Sequence, residues 1–223
     1  MFATSTYRTA SEINEAMGRV YQHMSIAIIT SMIVSYFVGS TPALLEFFFT
    51  GIIKWVVIFA PLVAILGMTF ASEKLDKTGL QLFLHGFAGL MGLSFATIFA
   101  VFTMGSIFTA FMGAAVLFSV MSFYGYFTKR DLSGLGSFLF VGLIAIVIAS
   151  IINIFIGSTL MQMVISAVAI IIFLGLTAYD TQRIREMVSS DGDGREEVLG
   201  ALSLYLNFIN LFLSLLQLFG DRR

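Results

Sequence analysis

Cysteine is absent from this 223-residue chain, proline occurs only twice, and charged residues make up only 11% of it, against about 25% in an average soluble domain. Without cysteine there is no disulfide framework, no thiolate metal site and no cysteine nucleophile. The scarcity of charge excludes a water-soluble globular fold. Net charge is −1, and no block of like charge is long enough to indicate nucleic acid or an anionic-lipid patch as partner. Catalytic motifs are missing too: there is no Gly-x-Ser-x-Gly, no His-Glu-x-x-His and no glycine-rich phosphate loop, and His23 and His85 are the only histidines. The expectation is a protein that is not an enzyme and carries no cofactor. The first twenty residues are polar and lack an apolar signal-peptide core, so the first apolar segment reads as an uncleaved helix.

What is present is apolar length. Hydrophobic residues make up 58% of the chain and mean hydropathy is +0.97. Uncharged runs recur between short charged clusters, each close to the roughly 20 residues that carry an α-helix across about 30 Å of hydrocarbon. The ten-residue alternation of a membrane β-barrel is absent, so helices must satisfy the backbone. The pattern predicts an all-α polytopic membrane protein with spans near Met24–Gly39, Ile52–Phe70, Leu80–Ala100, Ser106–Tyr126, Leu135–Ile156, Leu160–Tyr179 and Val198–Phe219. Residues 1–23 then form an N-terminal tail, 24–219 a single helical bundle in the lipid bilayer, and 220–223 a C-terminal tail.

Nine of the twelve basic residues fall on one side: Arg8, Arg19, Lys74, Lys77, Lys129, Arg130, Arg183, Arg185 and Arg195. By the positive-inside rule that side, with the N-terminus, is cytoplasmic. Lys54 and the terminal Arg222-Arg223 pair fall on the other. The terminal pair is discordant, which leaves two topologies: seven full spans, or a last segment that enters and returns.

Within the spans, a few polar residues stand out. Ala88, Gly92, Ala96 and Ala100 follow at four-residue steps in span three, with Gly86 and Gly89 beside them, and read as a close-packing face. Ser203, Asn207, Asn210, Ser214 and Gln217 fall on one stripe of the Leu/Phe-rich span seven. Lipid would penalise that stripe, so the last helix should lie centrally in the bundle, facing protein or a solvated path. Asp180 closes span six, followed by Arg183 and Arg185. It reads either as an interfacial ion pair with one of them or, if it lies deeper, as a desolvated site for a proton or cation. His85, about one turn into span three, is a packing residue or a pH sensor. Glu46, Glu73 and Asp76 read as surface charge. The acidic turn Ser190-Asp191-Gly192-Asp193-Gly194 lacks EF-hand spacing and reads as a flexible connector.

Two stretches are recognisable. Thr177-Ala178-Tyr179-Asp180-Thr181-Gln182-Arg183-Ile184 and Ala201-Leu202-Ser203-Leu204-Tyr205-Leu206-Asn207-Phe208-Ile209-Asn210-Leu211-Phe212 resemble the Bax inhibitor-1, or transmembrane Bax-inhibitor-motif, family. Lys129-Arg130-Asp131-Leu132-Ser133 and Asn153-Ile154-Phe155 extend the match. The resemblance implies a bacterial inner-membrane protein with seven helices, the last surrounded by the other six, acting as a pH-sensitive calcium leak channel. In the family, aspartates on the sixth and seventh helices share a proton and close the path. Asp180 matches the first; the second position is Asn207 here, and span two carries no clear counterpart of the basic residue that pairs with the aspartates in some members. Asp180 and Asn207 are thus the expected gate, with Asp180 a transient calcium contact. An Asp–Asn pair lacks carboxylate repulsion, and Asp180 is free to accept a hydrogen bond from the Asn207 amide. Weaker or acid-shifted pH gating is expected. The alternative is a non-conducting regulator that binds membrane proteases or stress-signalling partners.

Overall fold

The computed structural model describes residues 8–190 and 192–223; Asp191 of the acidic turn and the first seven residues of the tail lie outside that set. Seven of its helices are long and apolar enough to cross a membrane. They are α1 (Ala10–Gly39), α3 (Ile53–Ala71), α4 (Lys77–Ser94), α6 (Met104–Phe127), α7 (Ser133–Ile156), α8 (Thr159–Met187) and α9 (Arg195–Phe219). Two short helices interrupt the connections, α2 (Pro42–Phe49) and α5 (Ile98–Val101). Local chemistry sets several starts. Thr9 and Glu12 form a reciprocal capping box on α1, and Asp76, Thr103 and Ser158 cap α4, α6 and α8, each satisfying an amide that a helix end leaves unpaired.

α1 begins at Ala10 rather than Met24. The residues read as tail from Ala10 to His23 are the first turns of the same helix, stabilised by the capping box and by contacts of Arg19 and Tyr21 described below. α2 lies between the first two predicted spans, started by Pro42 at a position where its missing N–H costs nothing.

The last helix is the most enclosed. Of the residues in its apolar stretch 72% are buried, against 33% or fewer in each of the other six. It packs against α1, α4, α6 and α8, while α3 leans on α4 and α7 on α8. Such an arrangement leaves the outward faces of α3 and α7 covered with Trp55, Phe59, Phe138, Ile144 and similar exposed apolar side chains, as lipid contact requires. α9 also runs the full length of the bundle. Its start meets Lys77 and Arg19 at the basic end, and its end meets the α5–α6 junction at the other, where the Thr103 amide donates to the Asp221 carbonyl (3.1 Å) and that of Arg223 to Val101 (2.9 Å). The last of these seven candidate spans is one continuous helix, with Arg222-Arg223 at the end opposite the other basic cluster.

Close backbone approaches replace water exclusion as the source of cohesion. A Cβ at Gly92 would lie 2.5 Å from the Ser31 carbonyl oxygen, and one at Gly39 the same distance from that of Ala96. These contacts seat α1 on small residues of α4 and of the α4–α5 connection, where Ala88 and Ala96 respectively are fully buried. Ala100, Gly86 and Gly89 lie outside that seam.

Candidate ion-contact site between the sixth and seventh spans

Asp180 lies seven residues before the end of α8, about 10 Å along its axis, and inward of Arg183 and Arg185. Thr177 and Thr181 flank it and return their hydroxyl protons to the Phe173 and Thr177 carbonyls (2.7 and 2.8 Å), so these β-branched polar residues sit in an apolar helix without unpaired groups. The Asp180 side chain is 14% exposed. Its Oδ2 accepts a hydrogen bond from Asn207 Nδ2 of α9 at 2.7 Å. Its Oδ1 lies 3.9 Å from Arg183 Nη1, at the outer limit of an ion pair, and the arginine is 53% exposed. Arg185 points elsewhere: it donates to the Tyr126 carbonyl (2.9 Å) and lies over that ring at 4.9 Å. The carboxylate is therefore held chiefly by a neutral amide, a charge-assisted bond that joins the two helices.

Further along α9 the polar stripe has a divided role. Ser203 is half-buried one turn before Asn207. Asn210 and Ser214 return their protons to the Leu206 and Asn210 carbonyls (2.8 and 2.7 Å). At the far end Gln217 receives hydrogen bonds from Gln162, and from Ser166 at 3.4 Å, both on α8, and Asn153 of α7 joins through Gln162 (3.3 Å). The stripe thus bridges to α8 at both ends and is satisfied by its own backbone in the middle. His85 stands half-buried on α4, one turn beyond Gln81, whose amide nitrogen is 3.4 Å from His23 Nε2 on α1. His23 Nδ1 is buried with no hydrogen-bond partner among the described residues.

Three further constellations escaped sequence reasoning. Glu197, in the first turn of α9, is 1% exposed. It receives Arg19 through two bonds of 2.9 and 2.7 Å, Lys77 at 3.2 Å and Arg8 at 3.7 Å. Gly194 (φ +82°) begins the helix in a left-handed conformation, and a side chain there would strike Lys77 Nζ. Near mid-bundle, Ser31 of α1 bonds to the Ala88 carbonyl (2.7 Å) and the Tyr205 hydroxyl (2.6 Å), joining α1, α4 and α9. Tyr21, Ser122 and Thr181 form a hydroxyl chain across α1, α6 and α8 (2.6 and 3.0 Å). A glutamate pair opening a span was the one sequence signal for the first, but nothing local distinguishes buried Glu197 from Glu196.

An all-helical bundle of seven candidate spans, with a carboxylate on the sixth bonded to an amide on the enclosed seventh, defines a multi-pass membrane protein. The chain belongs to the Bax inhibitor-1 family: the family profile described as "Inhibitor of apoptosis-promoting Bax1" matches residues 13–223. It is 38% identical over 215 residues to "Inner membrane protein YbhL" of Escherichia coli (strain K12), covering 93% of this chain and 92% of that protein. It is also 33% identical over 225 residues to "Uncharacterized protein RP147" of Rickettsia prowazekii, covering 99% and 95%.

Proposed function

We propose that this protein is a cation leak pathway, with calcium as the permeant ion, in a bacterial inner membrane, its basic end and N-terminus cytoplasmic, and that the Asp180–Asn207 contact is its gate. The observation that carries this reading is the 2.7 Å hydrogen bond between a largely buried carboxylate on α8 and an amide on the enclosed helix α9. A hydrogen bond to a charged group contributes about 1.5–3 kcal/mol, so breaking it changes an equilibrium by roughly 10- to 150-fold. That range suits a contact that opens and recloses. One carboxylate oxygen without a hydrogen-bond donor among the described residues gives a cation a place to rest. Calcium takes six to eight oxygens in a resident site, and no group of three or more His, Asp or Glu converges among the described residues, which fits a passing contact better than a stored ion. The role requires no bond-making step. The inner-membrane assignment is supported by the name of the Escherichia coli relative, an inner membrane protein, and the orientation by the clustering of basic residues.

Calcium flux into liposomes containing only the purified protein, across about pH 6 to 8, tests the reading. Native protein conducts; Asp180→Asn changes the flux; Asn207→Asp brings steeper pH dependence, since two carboxylates this close share a proton. Absence of flux from all three proteins at every pH overturns the channel reading and leaves a regulator that acts by binding other membrane proteins.

A further inference from the structure

α1 and α6 both flank α9, yet an apolar groove separates them along much of their length. Two adjoining cavities of about 370 and 560 Å³ make up the groove and share Ile28, Phe111 and Phe208 as walls and floor. On the α1 side it runs from Tyr21 to Tyr36, about 22 Å at 1.5 Å per residue. That exceeds the roughly 15 Å depth of hydrocarbon in one leaflet, half of a core of about 30 Å. At the basic end the groove stops at a hydrogen bond from the Tyr126 hydroxyl of α6 to Asn14 Oδ1 of α1.

The mouth there gathers positive charge, and the neighbouring Asp131 accepts from the Ser133 amide of its own loop (2.8 Å). Arg185 lies over the Tyr126 ring at 4.9 Å, and exposed Lys129 and Arg130 follow two and three residues after the groove-lining Phe127. Among the described residues none of these three cations has a carboxylate within ion-pair distance, whereas Arg8, Arg19 and Lys77 converge on Glu197 and Arg183 approaches Asp180. No run of like charge marks this patch in the sequence, because Arg185 comes from α8 and the other two from the α6–α7 loop.

We infer that the α1–α6 groove binds an anionic phospholipid of the phosphatidylglycerol type, one acyl chain lying along Phe111 and Phe208 and the phosphate at Arg185, Lys129 and Arg130. Neither part suffices alone: an apolar groove facing lipid accepts any tail, and exposed cations attract any anionic surface. Their continuity is what selects one lipid with both features. This site is separate from the Asp180–Asn207 contact and stands whether or not the protein conducts.

Trp55 is the only tryptophan, so Trp55→Phe provides a dark background for two reporters. Phe123→Trp sits in the groove, and Phe70→Trp, at the same end of the bundle, sits on the lipid-facing side of α3, near Lys74. Each is placed in phosphatidylcholine vesicles holding a minor fraction of phosphatidylglycerol, with bromine on the tails of one lipid or of an equal mole fraction of the other. Bromine on phosphatidylglycerol should quench the groove reporter with a preference of roughly fivefold or more, with little preference at Phe70→Trp. Replacing Arg185, Lys129 and Arg130 together by Gln should abolish the preference with helix content unchanged, and Ala115→Phe, which fills the groove without altering charge, should do the same. Four results overturn the proposal: equal quenching of the groove reporter by both lipids, an equal preference at Phe70→Trp, persistence of the preference in both variants, or no quenching in the groove, which would mean that protein rather than lipid fills it.

Discussion

Two carboxylates toward the basic end, Glu197 and Asp180, are held in opposite ways. Glu197 is enclosed and gripped by three cations from α1, α4 and the segment before α1. Asp180 has one neutral amide and one distant, mostly exposed arginine. Leaving a buried charge uncompensated is costly, so the first arrangement locks the start of α9 to two neighbouring helices. The second leaves a charged group dependent on a single bond between two helices. Side by side they show α9 tethered at its first turn by three cations and joined to α8 at Asn207 by a single hydrogen bond to a carboxylate.

The contrast can be broken by substitution, and the largest effect belongs to Glu197. Glu197→Gln removes the buried carboxylate that Arg19, Lys77 and Arg8 share, and thermal unfolding in detergent should show a loss of about 3–5 kcal/mol. A loss under about 1 kcal/mol would mean that the cluster is solvated and anchors nothing. Asn207→Ala removes the donor from Asp180 and should cost about 1.5–3 kcal/mol by the same measurement, together with a change in calcium flux that Glu197→Gln lacks once matched for folded protein. Tyr205→Phe, two residues before Asn207 on α9, loses the bond to Ser31 while Ser31 keeps the Ala88 carbonyl; about 1 kcal/mol is expected. Arg183→Gln should be the smallest, within about 0.5 kcal/mol, because an exposed partner at 3.9 Å contributes little. A larger loss there would make Asp180 an ion-paired group and erase its distinction from Glu197.

Much of this architecture was legible without coordinates, for identifiable reasons. Each span announces itself by a run of apolar residues, because the bilayer imposes length and polarity locally. The α9 stripe was visible because Ser203, Asn207, Asn210, Ser214 and Gln217 recur with helical periodicity, and it meets α8 at Asp180 and at Gln162. The boundary of α1 was not legible, since its first turns carry Glu12, Glu15 and Arg19 and look like a solvated tail. They are helical through a capping box and through Arg19, whose partner lies 178 positions away. The basic mouth of the α1–α6 groove was hidden for the same reason: its charges are scattered in sequence and gathered only in space.

The amino-acid sequence by itself determined that the chain lies in a bilayer, that its backbone closes its hydrogen bonds within helices, and which family it belongs to. These follow from composition, run length and short motifs, all local properties. Only the tertiary structure decided that Glu197 rather than Glu196 is buried, that Arg183 rather than Arg185 approaches Asp180, and that α1 and α6 stand apart over α9. Each of these depends on how far one helix is rotated against another and how closely their backbones approach, and side chains from the whole chain set that together.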